Sequence, residues 1–481
     1  MTEANQSDSN EDSLTPLDQV SNLLRRYRLV DGLIHLQNDS SDEALADSAV
    51  QKQNLAELQH YLDQLHPADI AVILEALPLD DRLLIWSMVR TENDGEVLLE
   101  TSDAVRETLI TDMHSHELVA ATEFLNADEI ADLAPDLPQE VIDDVFRSLP
   151  VEEREQLRAA MSYTEGSVGA LMDFDVITIR EDVRLEVVLR YLRRFEELPD
   201  HTDQLFVVDR EEQLQGVLLI SQLLVSDPEM LVAEIMTKEM IKLCPDDVAQ
   251  QAASAFERYD LVSASVVDAT GKLLGRVTVD TVIDFIRAKA ENEALNLAGL
   301  SEEEDLFASV FQSVRNRWVW LAINLVTAFV ASRVIGLFED SIEKLVALAA
   351  LMPIIAGIGG NSGNQTITMI VRAMALDQIQ RRSAWKLLAK EVGVSVINGI
   401  LWGTVVGIFT FAMYHDPELG LVMMLAMLLN LVLAALLGVL IPLTLRKFGR
   451  DPALGSSVMI TAVTDSGGFF IFLSLATFFL L

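Results

Sequence analysis

Residues 451–473 read DPALGSSVMITAVTDSGGFFIFL, and the acid inside this apolar run, Asp465, governs how the rest of the chain is understood. A carboxylate in hydrocarbon costs about 2.5–3.5 kcal/mol even on the lenient insertion scale unless it is hydrated, paired or protonated. No Lys or Arg sits at a matching depth in the neighbouring apolar stretches, so a salt bridge does not offset that cost. Thr461, Thr464 and Ser466 place hydroxyls beside it, and Gly467-Gly468 lets another backbone approach. Asp465 therefore reads as the lone membrane-buried carboxylate and as one wall of a hydrated path. A permanently protonated acid and a proton relay are the competing readings.

Working outward, five apolar stretches reach the roughly 20 residues that a hydrocarbon core requires. They are Trp318 to Phe338, Leu345 to Ala373, Leu388 to Tyr414, Leu421 to Leu445 and Leu454 to Leu481. Arg315 and Arg317 precede the first; Arg372, Arg381, Arg382, Lys386 and Lys390 separate the second from the third; Arg446, Lys447 and Arg450 separate the fourth from the fifth. The other loops carry Glu339, Asp340, Glu343 and Lys344, then His415, Asp416 and Glu418. By the positive-inside rule the N-terminal part is cytoplasmic and the C-terminus lies outside. Arg333 is expected to snorkel to the outer interface.

The second stretch contains Pro353 and then GIGGNSGNQT from Gly357. Proline removes a donor and glycines permit irregular backbone, which is tolerated at membrane depth only where protein or a water-filled cavity satisfies it. Gly359, Gly360, Asn361, Asn364 and Gln365 are thus expected to line a pathway with Thr461 and Thr464, on an interrupted helix. Close packing of helices through small residues, with amides as interhelical glue, is the competing reading.

Composition agrees with a chain divided in two. Of 481 residues half are apolar, yet the net charge is −39, and nearly all the acid precedes the first apolar stretch. So acidic a chain does not suit nucleic acid, whose phosphates call for clustered Lys and Arg. The start, MTEANQSDSNEDS, has no basic segment followed by an apolar one, so no cleaved signal is expected. One cysteine, Cys244, allows neither an internal disulfide nor a thiolate cluster. Mg2+ sheds water reluctantly and is held by one or two carboxylates through its remaining waters, so a single intramembrane acid doubled by a two-fold axis suits the hydrated ion. His114 and His116 read as surface residues, since an i, i+2 spacing does not share a helix face.

The acidic part has its own order. Residues 1–12 are expected to be a disordered tail, and 13–162 a helical solenoid. LHPADIAVILEALPLDD from Leu65 resembles LNADEIADLAPDLPQEV from Leu125, 60 residues on, with His66 and Asn126 at helix starts. From 163 to 282 strands alternate with helices in two copies. Each has a strand ending Val-Val-Asp, at Asp209 and at Asp268, then a turn, a Gly, a strand and a helix. The duplication resembles tandem CBS modules, which often hold adenine nucleotides or ions between the copies. Residues 283–314 are charged and periodic, and read as a connecting helix followed by a short amphipathic approach helix. Residues 315–481 form the membrane part.

This order, with GIGGNSGNQT and DPALGSSVMITAVTDSGGF, resembles the MgtE magnesium transporters over roughly Leu55 to Leu481. The resemblance implies a multidomain membrane protein: α-helical solenoid N-domain, tandem CBS domains, plug helix and five-helix transmembrane domain. It implies a homodimer in a bacterial inner membrane, with a Mg2+-selective pore on the dimer axis, the hydrated ion at Asp465 and Asp451 at the cytoplasmic mouth. The CBS likeness makes ATP a candidate ligand of the pair, and the family resemblance implies Mg2+ bound around the plug to hold the pore shut. Of the regulatory acids, Asp260, Asp284, Glu291 and Glu293 remain, but Thr281 follows Asp280, and Val248, Gln250, Lys289 and Asn292 stand where acids are expected. Each lost carboxylate removes a hard oxygen ligand, so Mg2+ is expected to close this pore weakly or at other sites. No phosphate-binding loop or phosphorylatable motif suggests pumping or enzymatic chemistry; passive influx is the expectation. A broader pathway for Co2+ or Mn2+, and a membrane-anchored nucleotide or ion sensor, are the alternatives.

Overall fold

The computed structural model describes residues 15–36, 41–195, 197–298, 300, 305–375, 384–453 and 455–481. The tail expected at 1–12 lies outside the described residues. Contacts divide the chain into two units, Met1–Ala288 with Asp305–Phe307, and Lys289–Glu304 with Ala308–Leu481.

The first unit opens with ten α-helices among the described residues: α1 Pro16–Leu36, α2 Ser41–Leu62, α3 Pro67–Ala76, α4 Leu79–Trp86, α5 Thr91–Glu100, α6 Asp103–Asp112, α7 Ser115–Ala121, α8 Ala127–Leu133, α9 Gln139–Ser148 and α10 Val151–Ala160. The 60-residue likeness joins α3 to α8. His66 caps α3, its Nδ1 accepting from the Ala68 N–H at 3.3 Å, and the Asn126 N–H ahead of α8 donates to Glu129 at 2.7 Å. A shorter period is also present. Arg82 Nε donates to the Leu74 carbonyl and Arg106 Nε to the Leu98 carbonyl, both at 2.8 Å. Each pair is eight residues apart, and 106 − 82 = 24, so α3–α4 and α5–α6 are successive copies of one helical hairpin in which an arginine from the second helix occupies a carbonyl near the end of the first. Ile70, Leu74, Ile85, Val97, Leu98 and Leu109 form the core between them. His114 lies outside α7 as its cap, so its ring stacks on His116 at 5.8 Å despite the spacing; both stay exposed.

Arg82 is fully buried and makes a two-pronged ion pair with Asp305, at 2.6 and 3.1 Å. Burial works against the Asp305 charge, but Arg82 and the Phe307 N–H hold its carboxyl below the ordinary carboxylate range.

The rest of the first unit contains two three-stranded sheets, β1 Thr178–Arg180, β2 Gln204–Val208 and β3 Leu214–Leu219 in the order β1-β2-β3, and β4 Lys242–Leu243, β5 Ser263–Val267 and β6 Leu273–Thr278 in the order β4-β5-β6. In both, the first pair is parallel, the second antiparallel, and a bulge falls at the end of the Val-Val step. Helices α11 Leu185–Leu192, α12 Ile220–Val225, α13 Val232–Ile235 and α14 Ala249–Tyr259 cover them. The copies are interlocked. Thr237, ahead of β4, exchanges backbone hydrogen bonds with Val217 of β3, and Asp173, ahead of β1, exchanges them with Arg276 of β6. Gly216 and Gly275 face these crossings: a Cβ would stand 2.9 Å from the Thr237 carbonyl oxygen and 2.5 Å from that of Asp173. That close approach is why each copy has a Gly at this point. Asp209 and Asp268 fold their turns by accepting from the backbone N–H groups two and four residues on.

Helix α15, Val279–Ala298, both closes the second CBS copy and forms the connecting helix; nothing in its sequence breaks it at 282. The approach helix is likewise the first turns of α16, Val310–Gly336. After the short α17, Glu339–Lys344, come α18 Ala347–Ala375, α19 Ala384–Tyr414, α20 Pro417–Lys447 and α21 Ser456–Leu480. Four of these, α16, α19, α20 and α21, are long and apolar enough to cross a membrane. Helix α18 is long enough, but Asn361, Ser362, Asn364 and Gln365 dilute its apolarity.

The interruption expected in α18 does not occur: the helix is continuous through Pro353 and all its glycines. The glycines serve contact instead. A Cβ on Gly359 would stand 2.2 Å from Asn430 of α20, and one on Gly363 would stand 2.4 Å from Ile460 of α21. On α19, Gly403 and Gly407 lie against the Met424 and Gly420 carbonyls of α20, at 2.8 and 2.7 Å from where a Cβ would be. Small residues every fourth position let helix backbones meet where no hydrophobic drive separates protein from lipid.

Asp305→Asn leaves the Arg82 charge buried without its counter-charge, a loss of about 3–5 kcal/mol. Thermal unfolding of the purified protein should show the soluble part melting several degrees lower; an unchanged melting point would show the pair to be dispensable.

Candidate cation pathway

Asp465 lies in the middle of α21, half-buried, with no hydrogen-bond or ion partner among the described residues. The Thr464 hydroxyl, fully buried, donates to the Ile460 carbonyl at 2.8 Å, and the Thr461 hydroxyl donates to the Ser457 carbonyl at 2.9 Å. Both donors are spent within their own helix, so what the exposed Thr461 hydroxyl offers a visitor is oxygen lone pairs, whereas Thr464 is closed off by packing. Thr464 faces Gly360 of α18, whereas Thr461 shares the Asp465 side of the helix, four residues away, and is exposed.

Helix α18 divides its polar residues in the same way. Gly359, Gly360 and Gly363 are buried against α20 and α21, while Gly357, Asn361, Gln365 and Thr368 recur at helical spacing and are exposed on the single chain. Asn364 lies between the two sides, its Oδ1 buried and without a hydrogen-bond partner among the described residues. Of the sequence-derived residues, then, Gly359, Gly360 and Thr464 form the packing seam. Asn361, Gln365, Thr461 and Asp465 form a polar surface beside it.

At one end of this unit, Asp451 precedes α21 in a turn that it stabilises by accepting from the Ala453 N–H at 2.8 Å. Its other oxygen accepts from the Asn296 amide of α15 at 3.3 Å. Glu293, one turn earlier on α15, has its carboxyl raised, first by burial and then by the Asp451 charge, with Lys289 opposing. Glu293 and Asp451 are therefore neighbours. Glu291 is exposed on α15. Asp284, in the first unit, is raised by burial and then by Asp280, and Glu100 of α5 is raised by burial and then by the Asp284 charge. Asp260 caps the end of α14 in the left-handed conformation, φ 51°, and is exposed. Among the described residues no three His, Cys, Asp or Glu side chains converge to hold a metal ion; of the expected regulatory acids, Asp284 and Glu293 each feel one other acid, and Asp260 and Glu291 are exposed.

Several further polar residues are placed by the fold rather than by any motif. Asp94 is buried in α5, pushed up to about 7 by that burial and then by Glu117. Asp128, at the start of α8, is pushed up to about 8 by burial and then by Asp173 of the CBS part. Asp128 and Glu129 are legible as first-turn acids of a helix, but their approach to Asp173, 45 residues on (173 − 128), is not. Nor is Asp465 the lone buried acid of the apolar part: Glu391 of α19 is 6% exposed, 3.6 Å from Lys390. Lying next to that lysine at the end of its stretch, it reads in sequence as part of a charged loop. Asn430, a lone amide in the fourth stretch, carries the same signal as Asp465.

Comparison with known proteins places these features in a family. The model described as "MgtE: Divalent cation transporter" matches residues 352–475, the MgtE intracellular N domain matches 65–166, and CBS domains match 168–227 and 232–288. The chain is 31% identical over 447 residues to the magnesium transporter MgtE of Thermus thermophilus, covering 90% of this chain and 98% of that one. It is 24% identical over 426 residues to the magnesium transporter MgtE of Bacillus subtilis, covering 89% and 94%. A crystal structure of the cytosolic domain of the Mg2+ channel MgtE in complex with ATP is 28% identical, with a TM-score of 0.45, covering 50% of this chain and 97% of that one. With an N domain, a CBS pair and a transporter segment in one continuous likeness, this chain belongs to the MgtE family.

Proposed function

We propose that the protein is a channel-like path for passive influx of hydrated Mg2+, used as a homodimer in a bacterial inner membrane, with the soluble unit in the cytoplasm and the C-terminus outside. The observation that carries the reading is the exposed polar surface of Asn361, Gln365, Thr461 and half-buried Asp465 on helices otherwise dressed for lipid. Lipid cannot hydrogen-bond these groups, and a second copy facing them across a two-fold axis would enclose them around water. All five long helices then cross the membrane, α18 included, its polar side turned to the path. Asp465 and its symmetry mate supply charge, and the amide and threonine oxygens accept from water in the ion's shell, so selection acts on charge and hydrated size.

Regulation belongs to the same reading. With the plug acids thinned, the Asp128–Asp173, Asp94–Glu117 and Glu100–Asp284 pairs are the repelling sets that a divalent cation would relieve. All are hard oxygens, which suits Mg2+. An adenine nucleotide between the CBS copies is part of this reading.

Replacing Asp465 by Asn should lower Mg2+ uptake into liposomes by about tenfold or more, equivalent to roughly 1.4 kcal/mol on the barrier, with the melting point held. Uptake equal to wild type would refute the path. In patch-clamp recordings, rising cytoplasmic Mg2+ should close the pore only weakly, and Glu100→Gln or Asp128→Asn should weaken closure further; steep low-millimolar closure that survives both changes would place the sensor elsewhere.

The acid pairs also fix a pH dependence. Asp94 and Asp128 have folded pKa values, about 7 and about 8, above the ordinary carboxylate value of 3.8. Their contribution is fully present below that ordinary value and is lost as pH rises through the folded values. The soluble part should therefore melt at lower temperature at pH 8 than at pH 5, Mg2+ should restore more at pH 8, and Asp128→Asn should flatten the profile. Scanning fluorimetry that shows rising stability over this range would contradict the assignment.

A further inference from the structure

Asn430 is a polar side chain enclosed in the apolar part, 0% exposed in the middle of α20. It touches both helices that carry the pathway residues. Its Nδ2 donates to the Ile355 carbonyl of α18 at 2.9 Å, an oxygen whose place in the helix already serves the N–H four residues on. Gly359 of α18 and Gly468 of α21 close over the carboxamide from two sides: a Cβ on the first would stand 2.2 Å from Nδ2, and one on the second 2.8 Å from Nδ2 and 3.1 Å from Oδ1. Gly468 is one turn from Asp465, and Gly359 is two residues from Asn361.

Packing alone does not call for an amide here. Oδ1 is buried and has no hydrogen-bond partner among the described residues, and an unpaired buried acceptor costs about as much as a lost hydrogen bond. Ala434, Ala435 and Gly438 do the close packing one and two turns along the same helix without any such cost.

We infer that Asn430 is a positioning residue for the cation path: its carboxamide, gripped between Gly359 and Gly468, sets the spacing and register of α18 against α21, and so the distance between the Asn361–Gln365 side and Asp465. The inference rests on the pathway reading above. It explains why two glycines on different helices face one amide on a third.

The test is flux of Mg2+ and Mn2+ into liposomes by wild type, Asn430→Ala, Gly468→Ala, the double variant and Asp465→Asn, with melting points in parallel. Asn430→Ala should lower the Mg2+ to Mn2+ flux ratio about fivefold or more, an effect on discrimination rather than on folding. Gly468→Ala presses a methyl on the carboxamide and should shift the ratio too, and it remains informative where Asn430→Ala does not fold. In the double variant the methyl enters vacated space, so the two effects should be less than additive. A purely structural role would scale both cations together and leave the ratio unmoved, which would overturn the inference. If Asp465→Asn conducts like wild type, the path itself falls; if it is silent while the Asn430 and Gly468 variants keep the wild-type ratio, only the role of Asn430 falls.

Discussion

A polar group on a helix surrounded by hydrocarbon must find a partner, and the membrane part is arranged around that constraint. Helix α18 meets it by dividing its circumference. One side is glycine, pressed so close to α20 and α21 that side chains are excluded at Gly359 and Gly363. The other side holds Asn361, Gln365 and Thr368, with Asp465 and Thr461 on the neighbouring helix. Small residues on the first side bring α18 and α21 together, and so make one polar surface out of groups from separate helices.

The soluble unit faces the converse problem, charges crowded where water is scarce. Arg82 solves it locally, since a buried guanidinium with a two-pronged partner and a carbonyl leaves little unsatisfied. The carboxylates Asp94 and Asp128 have no such cation among the described residues, and burial first, then a neighbouring acid, raises their pKa values. The two CBS copies are tied to each other as well, because each contributes a crossing segment to the other's sheet.

Much of the fold was legible in particular residues. The Val-Val-Asp turns at Asp209 and Asp268 identified a duplication, and the repeated helix start at His66 and Asn126 identified a solenoid. The interruption expected in α18 does not form because glycine has two uses. It permits irregular backbone, and in a helix it also permits contact; only the neighbours Asn430, Thr464 and Ile460 show that contact is the use here. Glu391 was hidden by the lysine beside it, and Asp128 by looking like an ordinary helix-starting acid.

The division between what was readable and what was not follows the range of the forces. Apolar length, periodicity and the residues at turns and helix starts act over a few positions, so the sequence by itself determined the solenoid, the two CBS copies, the long apolar helices and the oddness of Asp465. Burial and charge repulsion depend on what arrives from elsewhere in the chain. Only the tertiary structure decided that Asp128 comes within reach of the Asp173 charge, that Glu293 comes within reach of the Asp451 charge, and that Asn430 stands between two glycines on different helices.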